Sequence, residues 1–292
     1  MTPLPLALIG DPTVCRTYLP LLSGDPAINL VALDPGGVEA QLVSPEVEAV
    51  VIAGAGEPHA AWAEQASRAG KHVLCDYPLG ATREACRTIM GAAAVGGATF
   101  MIGARARYAR LIGFLKEGLT ARESPRTLQL QVVATGPCDG PALRAFDLAC
   151  TLIEGEPVSV YAVGRTVTIG FSDRSTATVL LMGDAFQKGV EPYLALYDDG
   201  CRMALSGWQH LHVAGPDPIG AGETSLSDPD DGAAGMLEAF VRLVRGDHTP
   251  GADIREAMRS SVIGFLAEES VEAHGVALPI SRKDYVIGAV SC

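Results

Sequence analysis

The chain has 292 residues, of which 48% are hydrophobic and 19% charged, enough apolar material for a sizeable core and too much for a disordered chain. At roughly 100–200 residues per domain, that length suggests two domains or one large one. The 22 basic and 34 acidic residues leave a net charge of −12, which repels phosphate backbones and argues against nucleic acid as a partner.

Residues 5–10 form an apolar run ending at Gly10 and read as a buried parallel strand meeting a turn. A helix follows over 12–22, with Asp11 as N-cap and Pro12 at its first position. Residues 28–33 are a second strand, closed by Asp34-Pro35-Gly36-Gly37, and 49–53 a third. A helix over about 58–69, a strand at 71–75, a helix over about 82–95 and a strand at 99–102 complete the alternation. Strand and helix alternating in this way predict an α/β fold of Rossmann type, a doubly wound parallel sheet. After about residue 122 the rhythm changes. Residues 127–135, 158–168 and 176–182 alternate as strands, and 193–197 and 202–206 flank Asp198-Asp199-Gly200, a hairpin turn. A helix near 141–153, a long loop at 215–232 and helices at about 233–245 and 253–273 complete an α+β domain with a mainly antiparallel sheet. The expected boundaries are 1–122 for a nucleotide-binding-type domain and 123–292 for a substrate and oligomerisation domain.

No apolar run approaches about 18 residues, so no membrane span is expected. Met1–Leu8 lacks a basic n-region, so a cytoplasmic location is expected. The seven cysteines form no C-x-x-C pair, which fits reduced thiols better than a disulfide or zinc framework.

Ala69-Gly70-Lys71-His72-Val73-Leu74-Cys75-Asp76-Tyr77-Pro78-Leu79, preceded by Val50-Val51-Ile52-Ala53 and His59, resembles the "AGKHVLxEKP" segment of the Gfo/Idh/MocA dehydrogenase family. Leu237–Arg242 resembles that family's C-terminal helix. The resemblance implies NAD(P) chemistry on a sugar, polyol, imine or similar small substrate. It also implies a homodimer or homotetramer built through the antiparallel sheet. Tyr77 replaces the family's catalytic lysine, as in its biliverdin-reductase branch, the nearest relative on this reading. The family's D-x-x-x-H pattern has no histidine here; Gly140–Leu148 offers Arg144 and Asp147, one turn apart on a helix face where they can pair.

A dinucleotide site needs G-x-G-x-x-G, and Gly10-Asp11-Pro12-Thr13-Val14-Cys15 keeps only the first glycine. Pro12 removes a backbone donor, Cys15 adds bulk, and an N-cap carboxylate at Asp11 takes the amides a diphosphate needs. The short link from Asp34 to Val50 leaves room for one short helix at most. These losses favour an enzyme without a cofactor, performing cyclisation, isomerisation or elimination with Tyr77, Arg144 and Asp147 as catalytic residues. The alternative is an NAD(P)H-dependent reductase holding its cofactor at Gly10, Thr13, Asp34 and Asp76, where Asp34 stands at the interval expected of a ribose-binding acid. A non-catalytic binding or regulatory protein is the third reading. His59 is expected to cap or pack. Trp208, His210 and His212, alternating on one strand, are candidate substrate contacts, with no metal expected.

Overall fold

The computed structural model describes residues 2–32, 38–55, 57–119, 124–183, 191–215, 221–247 and 251–286. It separates into two compact units, and the division is not a single cut. One comprises residues 1–104 and 234–261, the other 105–233 and 262–292. The second stretch of the first unit comes from the C-terminal helices, which the expected boundary at 122/123 placed wholly in the second domain.

In the first unit the chain runs β1 (Leu4–Gly10), α1 (Pro12–Gly24), β2 (Ile28–Ala32), α2 (Val38–Val43), β3 (Ala49–Ala53), α3 (Glu57–Arg68), β4 (His72–Cys75), α4 (Arg83–Gly96) and β5 (Phe100–Ile102). The strands form one sheet in the order β2-β1-β3-β4-β5, and every pairing is parallel. Leu6, Ala7, Leu8 and Ile9 of β1 and all five residues of β3 are buried, the continuous apolar pattern of strands covered on both faces. Six residues of α2 are the only regular structure described between β2 and β3, as the short link predicts. Thr82 caps α4 by accepting the Ala85 amide at 3.1 Å, and Gly97 ends that helix in the left-handed region.

The second unit begins with a 3-10 turn at Arg105–Tyr108 and α5 (Arg110–Leu119). It continues through β6 (Thr127–Val133), α6 (Gly140–Leu152), β7 (Pro157–Val163), β8 (Thr166–Phe171), β9 (Thr176–Met182), β10 (Tyr193–Asp198), β11 (Cys201–Ser206), β12 (His210–Ala214) and β13 (Gly222–Ser225). Then α7 (Ala233–Val244) lies almost wholly in the first unit, α8 (Ile254–Glu272) crosses the division, and β14 (Leu278–Pro279) returns to the second. Nine strands form one sheet, β13-β12-β11-β10-β6-β9-β8-β7-β14, antiparallel except at the β6–β9 pair. One sheet face buries Leu128, Leu130, Val179 and Leu181, and Ala142, Leu143, Phe146 and Ala149 of α6 are buried in the same unit. The Asp198–Cys201 hairpin has both central residues, Asp199 and Gly200, at positive φ, as a tight two-residue turn requires.

Two expectations change here. The single strand at 158–168 is two strands, β7 and β8, reversed at Gly164 with φ 56°. The loop at 215–232 contains β13, whose four residues are all exposed and pair with β12 through the backbone. With no apolar alternation, β13 carries no periodic signal. Among the described residues, no helix is long and apolar enough to cross a membrane.

Gly10 has φ 135°, and a Cβ placed there would lie 1.9 Å from the carbonyl oxygen of Ala53. Gly10→Ala is expected to cost roughly 2–4 kcal/mol, because it adds backbone strain to an overlap with backbone. A lowered urea midpoint in chemical denaturation is the check.

Candidate active site

The turn from β1 into α1 uses its own donors. The Asp11 amide bonds the Ala53 carbonyl at 3.0 Å, and the Cys15 amide bonds the Asp11 carbonyl at 2.8 Å. Asp11 Oδ1 accepts the Thr13 and Val14 amides at 2.8 and 3.1 Å, and Pro12 has none to offer. Asp11 is therefore the N-cap that the sequence predicts. Its carboxylate is at the exposed start of the helix, so rotation of the side chain into solvent frees both amides. Cys15 is held above the ordinary thiol value by burial and by the charges of Asp11 and Asp76. Asp34 lies outside the described residues.

Asp76 follows β4 and is buried. One carboxylate oxygen accepts the Tyr18 hydroxyl at 2.7 Å, and the other accepts the Gly54 amide at 3.0 Å. It thus joins α1, the turn after β3 and the end of β4, all at the carboxyl edge of the parallel sheet. Tyr77 comes next, 2% exposed, and its bond to Pro78 is cis. His59 packs against Cys75, with Nε2 3.6 Å from Sγ. Burial pushes the Cys75 thiol well above its ordinary value, and the Asp76 charge adds to this. Burial lowers the His59 imidazole, with Asp76 opposing in part. The pair is a neutral thiol on a neutral ring, and this environment does not support a thiolate nucleophile.

In the second unit, Asp147 of α6 is 1% exposed and is held by Arg107 of the 3-10 turn. Arg107 Nε and Nη2 reach its two oxygens at 2.6 and 2.5 Å, a bidentate pair. Asp147 is thus held by an ion pair with Arg107, a partner outside its own helix. Arg144, one turn earlier on α6, lines a cavity of about 230 Å³. Leu130 and Val132 of β6, Leu194 of β10, Leu205 of β11, Pro141 and Leu148 form much of its wall. Arg105, Glu191, Tyr193, Trp208 and Asp231 also border it. Arg105 is paired with Asp231 at 3.1 Å.

Trp208 is separated from the two histidines. Gly207 and Trp208 both have positive φ in the turn between β11 and β12, so Trp208 leaves the strand alternation and lines the apolar cavity. His210 and His212 share one face of β12 and border a different, polar cavity of about 310 Å³ with Arg202, Ser206, Glu223 and Ser225. His210 Nδ1 is 3.0 Å from Ser225 Oγ. No cluster suited to a metal ion occurs among the described residues. Arg105, Arg107 and Tyr18 were not singled out from sequence. The only available signal was the Arg105-Ala106-Arg107-Tyr108 run just past the last parallel strand.

The sequence profile of the Gfo/Idh/MocA family, described as an oxidoreductase family with an NAD-binding Rossmann fold, matches residues 27–104. Over that stretch the chain is similar to the Gfo/Idh/MocA family. Inositol 2-dehydrogenase 2 of Saccharopolyspora erythraea is 37% identical over 99 residues, a stretch that covers 34% of this chain and 29% of that protein. An oxidoreductase from Sinorhizobium meliloti superposes with TM-score 0.81 at 15% identity, covering 95% of this chain and all of the other. An oxidoreductase from Agrobacterium radiobacter, solved in complex with NAD+, L-tartaric acid and magnesium, gives TM-score 0.79 at 16% identity, covering 95% and 98%. At those identities the two structures establish the fold.

These findings overturn the expectation of a protein without a cofactor. The matched family is NAD-binding, and a structural neighbour was solved with NAD+. The match begins at residue 27, beyond the altered glycine loop, and rests on β2 to β5. Loss of two glycines therefore outweighed too little of the unit to decide its ligand.

Asp147→Ala is expected to destabilise the protein by about 3–5 kcal/mol, since it strands the largely buried Arg107 guanidinium. Urea titration of the variant reads this directly. His59 and His72 are both lowered from the ordinary imidazole value by burial, against smaller opposing effects of Asp76 and Glu48. The unfolded chain then takes up protons more readily than the folded one just below pH 6.5. Their contribution is complete above that pH and is lost as the pH falls toward the folded values. Thermal melts from pH 7.5 to 5.5 should show this decline, with a shallower slope in His59→Asn.

Proposed function

We propose that this chain is an NAD(P)-dependent oxidoreductase of the dehydrogenase type acting on a small molecule. The match of residues 27–104 to an NAD-binding family carries the reading. The turn supports it: Gly10 keeps the conformation that only glycine tolerates there, and two helix-start amides are covered only by an exposed, rotatable side chain. Gly10 would admit the diphosphate, and the Thr13 and Val14 amides would hold it once Asp11 turns away. NAD(P), when bound, supplies a nicotinamide that accepts or donates a hydride. Tyr77, just past the carboxyl end of β4, is assigned proton transfer to or from the substrate oxygen or nitrogen. A phenol hydroxyl can donate a proton, which suits Tyr77 to the acid role, protonating a carbonyl or imine as it is reduced. Arg144 is assigned to substrate anchoring in the cavity of the second unit, and Asp147 to fixing α6 through Arg107 rather than to proton transfer.

We also assign self-association to the sheet face opposite α6, where Tyr161, Val163, Leu180 and Tyr197 are exposed. A homodimer or homotetramer buries them, and sedimentation of Leu180→Lys should shift toward smaller species.

Titration of the protein into NADH and NADPH, followed by nicotinamide fluorescence, tests the main reading. A saturable change is expected, and its absence at millimolar cofactor overturns it. Asp11→Ser keeps the cap and removes the charge, so it should tighten binding by about tenfold. With a substrate that turns over, Tyr77→Phe should lower kcat by about 10²-fold or more while leaving the NADH dissociation constant nearly unchanged.

A further inference from the structure

We infer that the cavity between α6 and the ends of β6, β10 and β11 selects a small carboxylate with an apolar carbon body, and that Arg144 determines this selectivity. The inference rests on reading that cavity as the substrate chamber. Its volume of about 230 Å³ lies below the usual range of roughly 300–1,000 Å³ for ligand pockets, so the occupant is small.

The walls set the chemistry of the body. Leu130, Val132, Leu194, Leu205, Pro141 and Leu148 present no side-chain hydrogen-bonding group. A polyol placed against this part of the wall would bury hydroxyls against carbon, and the polar side chains Gln131, Tyr193 and Glu191 border only part of the cavity. A hydrocarbon body loses nothing and gains the Trp208 ring as a flat contact.

The charged groups set the chemistry of the head. Asp231 is engaged by Arg105 at 3.1 Å. The Glu191 carboxylate lies over the β11–β12 turn, where Oε2 is 2.8 Å from the position a Cβ on Gly207 would take. Arg144 brings a guanidinium to the cavity from the α6 wall. A guanidinium has five N–H donors in a planar fork that matches a carboxylate, so an existing protein partner leaves donors for a ligand. The α6 backbone beneath it is anchored by the bidentate Arg107–Asp147 pair one turn away.

The chain has two tryptophans, Trp62 and Trp208, so Trp62→Phe makes Trp208 the sole fluorescent indole. In that background the full chain is titrated with 3-phenylpropanoate, 3-phenylpropan-1-ol and myo-inositol. Saturable quenching by the carboxylate is expected, about tenfold tighter than by the alcohol, with none by inositol. Adding Arg144→Gln should bring carboxylate and alcohol to within about twofold of each other, and Arg144→Lys should retain part of the preference. Equal binding of acid and alcohol by the Trp62→Phe protein overturns the inference, as does inositol binding in place of the acid. An undiminished preference in Arg144→Gln overturns the role of Arg144. Nicotinamide fluorescence on the same preparation separates the two levels. A protein that binds NADH but shows no acid preference refutes the selectivity alone, and one that binds neither refutes the oxidoreductase reading as well.

Discussion

Two hydrogen bonds to one buried carboxylate, from the Tyr18 hydroxyl and the Gly54 amide to Asp76, hold together the carboxyl edge of the parallel sheet. That edge is where α/β sheets present their ligands, because the strand ends and helix starts converge there. Here Asp76 draws α1 toward β4 and fixes the turn after β3 at Gly54. The adjacent turn at Gly10 has no room for a side chain against Ala53. With these contacts in place, the position of the α1 start is determined by backbone packing, whatever caps it. The Asp11 carboxylate occupies a geometry that was made independently of it, and so the altered glycine loop leaves the packing of α1 on the parallel sheet intact.

The second unit applies the same economy to α6. Burying a carboxylate in a helix packed on a sheet is costly unless the charge is fully met, and Arg107 meets it with both ends of its fork. The pair joins the 3-10 turn to α6 and fixes the helix that carries Arg144. Rigid placement of one cation beside an apolar chamber is a means of orientation, since the chamber walls supply contact without direction. The His210 and His212 face is a different environment, polar and bordered by Arg202 and Glu223.

Much of this fold was legible because local chemistry and burial agreed. The strands at 5–10 and 49–53 are apolar throughout since both faces are covered, and Asp11-Pro12 announces a helix start by capping and by fixed φ. The Ala69–Leu79 segment carried the family resemblance. What escaped was set by non-local partners. Asp147 takes two bonds at once from Arg107, in a turn far from it in sequence. Trp208 fits a strand by spacing and leaves it because the backbone turns at Gly207. β13 has no pattern of its own and exists because β12 offers an unpaired edge. The cofactor expectation failed for a related reason: the altered loop at Gly10–Cys15 and the short Asp34–Val50 link are local, whereas the match to an NAD-binding family spans residues 27–104.

The parallel pairing of β6 with β9 separates the large sheet into two kinds of assembly. From β10 to β12 each strand joins the one before it through a short turn, so contacts close locally. Between β6 and β9 the chain must first make α6 and the β7–β8 hairpin, then bring β9 back alongside β6. Loop-closure entropy is spent before that pairing returns any free energy. The pairings of β6 with β9 and with β10 therefore carry a larger loop-closure cost than the hairpins on either side of them.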